Sequence, residues 1–530
     1  MSTMSYSKLT SASVQGVDGC AIAVEVDLAS GLPQINVVGL PDPSVRESVE
    51  RVRAALRNSG FQFPMQRITV NLAPADIRKE GTAYDLAIAA AILIASAQLQ
   101  ERHFKDTLVI GELALSGELC RVPGVLPMAE AARRIGMKRI LLPAGNAAEA
   151  ALISGMEVYA ASSLKQLAEC CREAEGWDSL LWRGDERPKS SSAESVNASA
   201  TDSVWAENRL DYSDVLGQHA AKRALAIAAA GRHNILLSGP PGTGKTMLIR
   251  RLPGILPPMS DEESLEVTKI YSVAGKLARL DTLITERPFR SPHHTISAGG
   301  LVGGGSIPRP GEVTLAHRGV LFLDELPEFP RAALESLRQP LEDREVTLAR
   351  ARAVYRFPAS FQLAASMNPC PCGFLGATAG GAQGQPECSC SQTAIDRYRS
   401  RISGPMLDRI DLLVEVQRPE SIDSAQSGMS TADMRALVQR AIQAQQKRRP
   451  GFDVLWNGEL SGVALRRAAS LQPEASNLLQ QAFDRLGISL RARDRILKLS
   501  RTIADMEGCE VIEASHVAEA IQYRRLPGWS

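Results

Sequence analysis

Residues 233–251 read HNILLSGPPGTGKTMLIRR, and this stretch decides the fold of the second half of the chain. A short apolar run, typical of a buried strand, passes through a glycine-rich turn into a helical pattern. The turn fits the spacing G-x-x-x-x-G-K-[ST], in which backbone N–H groups surround a bound phosphate. Strand, turn and helix together therefore predict a phosphate-binding loop at the carboxyl end of a parallel strand.

Each residue type in the turn has a use in nucleotide binding. Two glycines let the backbone close around the phosphates, and Lys245 is expected to reach the β- and γ-phosphates. Thr246 is expected to ligate Mg²⁺ through its hydroxyl. The alternative interpretation is a chance glycine-rich turn between a strand and a helix. The sequence predicts an ATP site with Mg²⁺ that uses Gly239, Pro240, Pro241, Gly242, Thr243, Gly244, Lys245 and Thr246.

An acidic motif follows the phosphate-binding loop along the chain, in the order expected of an ATP-hydrolysing site. The apolar run Val320–Leu323 ends in Asp324 and Glu325. Asp324 is expected to hold the Mg²⁺ shell, and Glu325 to polarise a water for attack on the γ-phosphate. Acidic residues often end strands, so this motif alone would be weak. Placed after a phosphate-binding loop, it predicts an ATPase.

Four cysteines stand in two short pairs, Cys370-Pro-Cys372 and Cys388-Ser-Cys390. Four thiolates satisfy a tetrahedral zinc ion, and the segment between the pairs has few apolar residues with which to build a core. With no open coordination position, the predicted zinc site is structural. Free thiols or redox-active cysteines are the alternatives. The other five of the nine cysteines show no ligand spacing.

The chain of 530 residues is long enough for two or three domains. Residues 184–203 are rich in Ser, Ala and charge and predict a flexible linker. Before it, residues 1–180 alternate short strands and helices, and Ser44 with Glu47 predicts a capping box for one of these helices. After it, residues 205–425 alternate strands and helices as in a parallel sheet, with a cysteine insert at 370–390. Residues 430–530 predict helices only.

Composition is that of an ordinary soluble globular protein, with 44% hydrophobic and 22% charged residues. The net charge is +1, from 60 basic and 59 acidic residues, so any nucleic-acid site must rest on local patches. The most apolar segment, residues 86–97, is too short to cross a bilayer, and the N-terminus lacks the plan of a secretory signal. No membrane partner is expected, disulfides are not expected, and the cytoplasm is the expected location.

Residues 205–525 resemble the magnesium-chelatase and helicase branch of the AAA+ family. The resemblance implies that Asn368 is the sensor residue that orients the attacking water. It also implies that Arg409, within Leu407–Leu412, is an arginine finger that reaches the ATP of the next subunit. Arg491 matches a second phosphate-facing arginine in a helical lid. An arginine acting on a neighbour implies a ring, a hexamer in the family, although either arginine could instead form a surface salt bridge.

Two inserts are similar to those that mark this branch. Residues 290–305, with their run of glycines, resemble the helix-2 insert, and a strand pair around Arg350 and Arg352 resembles the hairpin that precedes the sensor. In helicase rings such hairpins line the central pore, so both arginines are candidate contacts to a DNA backbone. An exposed charged hairpin without a ligand is the alternative.

Residues 1–180 resemble the α/β domain of Lon-type proteases. The segment Lys79–Tyr84 matches the one that carries the serine nucleophile in Lon, and Ala83 stands at the serine position. The segment Val122–Pro127 matches the one that carries the catalytic lysine, and Pro127 stands there. Alanine has no nucleophile and proline has no amine, so a Ser–Lys dyad cannot form, and peptide hydrolysis is not expected.

The order of these parts is similar to that of the YifB/ComM family of bacteria, as are Gly39-Leu-Pro-Asp42 and Asn71-Leu-Ala-Pro-Ala-Asp76. The expected fold is α/β: a P-loop AAA+ core with a parallel sheet and a C-terminal helical lid, plus a separate Lon-protease-like domain. The resemblance implies a hexameric DNA motor that acts on single-stranded or branched DNA and serves natural transformation, with recombination proteins as candidate partners. A magnesium-chelatase motor subunit and a protein-remodelling factor without protease activity remain alternatives.

Overall fold

A computed structural model of the chain describes residues 5–172, 176–184, 210–279, 281–305, 308–350, 353–376, 387–417, 428–451, 454–486 and 489–524. The predicted linker, residues 184–203, lies outside these ranges except for its first residue. Among the helices within these ranges, none is long and apolar enough to span a membrane.

A seven-stranded sheet forms the centre of the N-terminal region, in the order β3-β4-β2-β1-β5-β8-β9. The pairs β1–β2 and β2–β4 are antiparallel, and the other neighbours are parallel. A small antiparallel pair, β6–β7, stands beside it. The strands are β1 Tyr6–Gln15, β2 Asp18–Ala29, β3 Gln34–Val38, β4 Arg67–Ala73, β5 Thr107–Val109, β6 Glu112–Leu113, β7 Leu119–Cys120, β8 Arg139–Pro143 and β9 Glu157–Ala161.

Five helices of this region are α1 Pro43–Asn58, α2 Asp85–Ala95, α3 Val125–Arg134, α4 Ala147–Ala150 and α5 Leu164–Arg172. Helix α2 is apolar on all sides, and every one of its residues is buried, as expected for a helix in the centre of a core. The predicted capping box at Ser44 and Glu47 is wrong. Asp42 caps α1 by accepting a hydrogen bond from the N–H of Val45 at 2.8 Å, because Pro43 already occupies the first helical turn.

The second sheet has five strands in the order β11-β14-β17-β10-β18, and all neighbours are parallel. Strands β10 and β14 are buried along their whole length, which explains their uninterrupted apolar sequences. Two hairpins, β12–β13 and β15–β16, lie outside this sheet. The strands are β10 Ile235–Ser238, β11 Phe289–Arg290, β12 Gly303–Gly304, β13 Arg309–Pro310, β14 Val320–Leu323, β15 Glu345–Arg350, β16 Ala353–Pro358, β17 Gln362–Met367 and β18 Leu412–Glu415.

Helices cover this sheet and then form a separate C-terminal layer, which confirms the predicted α/β fold with a helical C-terminal region. Those associated with the sheet are α6 His219–Gly231, α7 Lys245–Arg250, α8 Asp261–Val273, α9 Ala298–Val302, α10 Glu312–Leu315, α11 Arg331–Ser336, α12 Arg338–Asp343, α13 Gln392–Arg399 and α14 Gly404–Leu407. The C-terminal ones are α15 Thr431–Arg448, α16 Gly462–Ala468, α17 Pro473–Leu486, α18 Leu490–Glu507 and α19 Ala514–Gln522. Helices α15 and α18 pack on α6, so this layer shares a core with the sheet.

The N-terminal region contacts the second sheet region through α8 and the hairpin β15–β16. Lys269 of α8 forms an ion pair with Glu130, and both side chains are largely buried. On the hairpin, the hydroxyl of Tyr355 donates a hydrogen bond to Glu80 at 2.9 Å. The two regions are therefore joined by specific polar contacts in addition to the chain itself.

Candidate active site

The phosphate-binding loop connects β10 to α7 at the carboxyl edge of the parallel sheet. Gly244 ends the loop with φ of 86°, a conformation that glycine adopts without steric cost, and α7 begins at the next residue. The strand before the loop is fully buried, so it holds the loop on a rigid element. This is the geometry in which loop N–H groups can face a phosphate.

Lys245 is the first residue of α7 and is mostly buried. Its Nζ donates to the carbonyl oxygens of Gly239 at 2.7 Å and Pro240 at 2.8 Å, and to Oδ1 of Asn368 at 3.3 Å. Burial lowers the pKa of Lys245, while the carboxylates of Asp324 and Glu325 act to raise it. The ammonium is thus held between the loop and the end of β17, where a phosphate would provide its counter-charge.

The hydroxyl of Thr246 donates a hydrogen bond to Oδ2 of Asp324 at 2.9 Å. Ser366, on β17, donates to the other carboxylate oxygen of Asp324. A hydroxyl and a carboxylate side by side are oxygen ligands of the kind that Mg²⁺ prefers, so the residues present fit the ion that the sequence predicts. Sequence reasoning missed Ser366; its place on a buried strand next to β14 was the available signal.

Glu325 follows Asp324 in a left-handed conformation, with φ of 55°. Its N–H donates to the hydroxyl of Ser366 at 3.4 Å, so the same serine contacts both acidic residues. The structure therefore joins Lys245 to Asn368 and the next residue, Thr246, to Asp324 by direct hydrogen bonds, with Glu325 adjacent. Such a set can bind a nucleotide with Mg²⁺ and place a carboxylate near an attacking water.

Arg409 and Arg491 lie elsewhere. Arg409 forms an ion pair with Glu342, and Arg491 approaches the same carboxylate at 4.0 Å with 68% of its side chain exposed. The carbonyl of Arg409 accepts a hydrogen bond from the side chain of Asn234 at 2.8 Å. Asn234 precedes β10, whereas the phosphate-binding loop follows it, and a four-residue strand spans about 13 Å. The two arginines thus share the amino edge of the sheet, opposite Lys245.

Arg350 ends β15, is exposed, and donates a hydrogen bond to the carbonyl of Gly305 at 3.1 Å. Its partner in the antiparallel register is Ala353. Arg352 lies outside the described residues. The hairpin itself forms as the sequence predicts, and its contact with Gly305 links it to the glycine-rich insert.

The sulfur atoms of Cys370, Cys372, Cys388 and Cys390 all lie within 4.8 Å of one another. Three of their separations are 3.3, 3.7 and 3.6 Å. A tetrahedral zinc ion with sulfur at about 2.3 Å separates its ligands by about 3.8 Å, so the cluster fits zinc. A hydrogen bond from the backbone of Phe374 lowers the pKa of Cys372, whereas the pKa values of Cys388 and Cys390 are raised in the same cluster, so the fit to zinc rests on the positions of the four sulfurs. All nine cysteines are free.

The positions that match the Lon catalytic pair lie in a packed interior. Ala83 is buried in a cluster with Val122 and Leu126, and Pro127 is buried in the first turn of α3. Neither residue carries a nucleophile or a base. This region is therefore part of the packed interior, at the place where the resemblance locates a protease site.

Comparisons with known families match three separate parts of the chain. Residues 211–424 match the family described as magnesium chelatase, subunit ChlI. Residues 24–146 match the family described as subunit ChlI of Mg-chelatase. Residues 428–524 match the family described as magnesium chelatase, subunit ChlI C-terminal.

Some individual proteins match over nearly the whole chain, and another matches about a quarter of it. The YifB protein of Salmonella typhimurium is 43% identical over 518 residues, which cover 96% of this chain and 95% of that protein. The competence protein ComM of Haemophilus influenzae is 43% identical over 526 residues, which cover 99% and 98%. Lon protease 2 of Bacillus subtilis is 33% identical over 143 residues, which cover 26% of each chain.

Proposed function

The chain belongs to the YifB/ComM family of magnesium-chelatase-like AAA+ proteins, and on that premise we propose that it is an ATP-driven DNA motor. In this proposal it forms a hexameric ring that moves along single-stranded or branched DNA. Its work is that of a helicase or branch-migration translocase, and it serves natural transformation or recombination. The AAA+ motor is the family's general property; the DNA substrate, the ring and the pathway are the proposal.

The observation that carries the motor part is the hydrogen-bonded set around Asp324. Thr246 and Asp324 would hold Mg²⁺, and Lys245 would neutralise the β- and γ-phosphates. Glu325 would accept the proton of the attacking water, and Asn368 would orient that water or the γ-phosphate. Held by Thr246 and Asp324, Mg²⁺ would offset the negative charge that develops on the phosphate oxygens.

The opposite placement of the two arginines supports the ring. Arg409 and Arg491 lie at the amino edge of the sheet, and their own phosphate-binding loop lies at the carboxyl edge. In this proposal, both arginines act on an ATP that is bound to another copy of the chain. Repetition of one such contact between neighbours closes a ring when the rotation between copies permits it.

Two observations support DNA as the substrate. A relative that matches nearly the whole chain is named a competence protein. In the structure, Arg350 is exposed at the end of a hairpin, where a cation could contact the phosphate backbone of a strand in the pore. The cysteines would hold a structural zinc ion beside the nucleotide site.

The experiment that tests the proposal measures steady-state ATP hydrolysis with and without single-stranded and branched DNA. We expect DNA to stimulate hydrolysis by the intact protein and Lys245→Ala to abolish it. Lys447→Ala is the matched control, because Lys447 is exposed on α15 and lies in another element. A rate of ATP hydrolysis that neither DNA changes would contradict DNA as the substrate. It would favour a chelatase motor or a protein-remodelling factor.

A further inference from the structure

We infer that the cysteine knuckle, residues 370–374 and 387–390, positions the phosphate-binding loop and Asn368, so that metal binding and nucleotide binding are coupled. The inference rests on the nucleotide site of the proposed function, but it does not depend on DNA. Neither of the two motifs predicts this link by itself, because they lie far apart in the sequence. Their contact arises from the position of the knuckle directly after β17.

The first step is the short path from Asn368 to the metal ligands. Strand β17 ends at Met367, Asn368 follows it, and Cys370 comes two residues later. Cys370 is completely buried, and its carbonyl accepts a hydrogen bond from the N–H of Gly373 at 3.0 Å. The sensor residue is therefore anchored on one side by the central sheet and on the other by a tight turn that carries two of the four sulfurs.

The second step is the contact between this turn and the phosphate-binding loop. Gly373 is buried and has φ of +86°. A Cβ atom added at Gly373 would lie 2.8 Å from Cδ and 3.2 Å from Cγ of Pro241, and 3.8 Å from Cγ of Asn368. The ring of Pro241 cannot rotate away as a flexible side chain could. The backbone of the knuckle thus lies directly against both the loop and the sensor residue.

The third step is the far end of the knuckle. Helix α13 begins just after Cys390, with Ser391 as its N-cap. Near its end, Arg399 donates a hydrogen bond from Nε to the carbonyl of Pro369, at 3.4 Å. A metal bound by both cysteine pairs would therefore connect the turn that follows β17 and Asn368 to the start of α13. By fixing the turn that carries Cys370 and Cys372, the metal would restrict the motion of Asn368 relative to Lys245.

The inference predicts that nucleotide affinity depends on the knuckle even where no DNA is present. If the turn around Gly373 shifts, Pro241 must shift with it, and the 3.3 Å contact between Asn368 and Lys245 is lost. Both changes act on groups that face the β- and γ-phosphates. Gly373 and the metal are thus positioning elements of the site and do not contact the reacting atoms.

The experiment compares Gly373→Ala with Gly376→Ala in the full chain. Both glycines have left-handed φ, +86° and +81°, so alanine strains the backbone to a similar degree at either one. Of the atoms in the described residues, none lies within 4 Å of a Cβ added at Gly376, so this variant is the control. The measurements are zinc content by a colorimetric chelator after denaturation, affinity for a fluorescent ADP, and kcat and KM for ATP without DNA.

We expect both variants to keep the zinc content of the parent protein. Gly373→Ala should weaken ADP affinity by about tenfold or more, and Gly376→Ala by less than about twofold. Cys390→Ser should reduce both zinc content and ADP affinity. Parental ADP affinity and kcat in Gly373→Ala, or parental ADP affinity in zinc-free Cys390→Ser, would overturn the inference. If the parent protein itself bound no nucleotide, the proposed function would fail instead, so the two failures are distinguishable.

Discussion

The hydroxyl of Thr246 donates a hydrogen bond to the carboxylate of Asp324 across 2.9 Å, which joins the first turn of α7 to the end of β14. Ser366 on β17 donates to the same carboxylate. Asp324 follows β14, Ser366 is on β17, and Thr246 is in the helix that follows β10. Residues from three adjacent strands or the segments after them therefore meet at Asp324, because parallel strands end at a common edge. Asp324 is thus placed to hold Mg²⁺, whereas its neighbour Glu325 is expected to accept a proton from the attacking water. Separate substitutions can test these two roles.

Glu325→Gln should retain ATP binding but lose hydrolysis, because the amide cannot accept the proton of the attacking water. A decrease in kcat of about 10²- to 10⁴-fold is expected. Asp324→Asn should instead raise the Mg²⁺ concentration required for half-maximal activity, because a ligand charge is lost. Affinity for fluorescent ATP and the Mg²⁺ dependence of kcat distinguish the two variants. Equal Mg²⁺ dependence in both would contradict the assignment.

Arg409→Ala should be inactive alone, with kcat reduced by about 10³-fold, because the neighbouring ATP would lose the arginine finger. Mixed with Lys245→Ala, it should regain activity. In mixed rings, some contacts pair an intact Lys245 of one copy with an intact Arg409 of the next. The measurement is ATP hydrolysis by mixtures at constant total protein. Mixtures that hydrolyse no faster than either variant alone would show that Arg409 does not act between copies.

Arg350→Ala should weaken DNA binding nearly equally for all sequences, because a backbone contact carries no base information. The slope of log affinity against log salt concentration should decrease by about 1. Arg57→Ala is a suitable control, since Arg57 is exposed on α1, in the N-terminal region. Fluorescence anisotropy over a salt series measures both slopes. The same loss in both variants would contradict a specific role for the hairpin.

The ion pair between Lys269 and Glu130 should stabilise the contact between the N-terminal region and α8. Burial acts to raise the pKa of Glu130, but the neighbouring Lys269 and Arg134 lower it overall. The stabilisation is therefore complete at neutral pH and is lost as the pH falls below the usual pKa of glutamate, about 4.3. Glu130→Gln should cost about 1–3 kcal/mol at pH 7.

Urea unfolding followed by tryptophan fluorescence measures this cost, and the pair Glu169 and Lys165 supplies the control. Their side chains are 56% and 72% exposed and lie 4.0 Å apart. Glu169→Gln should therefore change the unfolding free energy by less than about 0.5 kcal/mol. Equal effects of the two substitutions at pH 7 would show that the buried pair does not stabilise the domain contact.

Local sequence patterns predicted strands β10 and β14 of the second sheet and the helical C-terminal region. Helices α15 and α17 lie within residues 430–530, where the sequence predicts helices only, because capping and apolar spacing are local properties. The short helix α16 went unpredicted, since seven residues provide too little periodicity. The capping residue of α1 was misassigned because Ser44 and Asp42 are both good N-caps, and only the observed hydrogen bond distinguishes them.

Site residues that belong to a sequence motif could be predicted. Residues that reach the site only through a contact between distant parts of the chain could not. Lys245, Thr246 and Asp324 follow from spacing and strand ends. Glu342, which joins Arg409 and Arg491, lies 67 residues from Arg409 and has no motif of its own. The contact of Gly373 with Pro241 likewise depends on the packing of two loops in space. Such pairings are set by tertiary structure, which residue spacing does not encode.

The central claim is that ATP hydrolysis by this chain moves DNA strands. The most direct test uses a synthetic three-stranded junction, and measures strand displacement and ATP hydrolysis in the same reaction for the intact protein and for Lys245→Ala. The account predicts that the junction stimulates hydrolysis and that displacement requires both ATP and Lys245. Hydrolysis at an unstimulated rate, with no strand displaced by the intact protein, would contradict it.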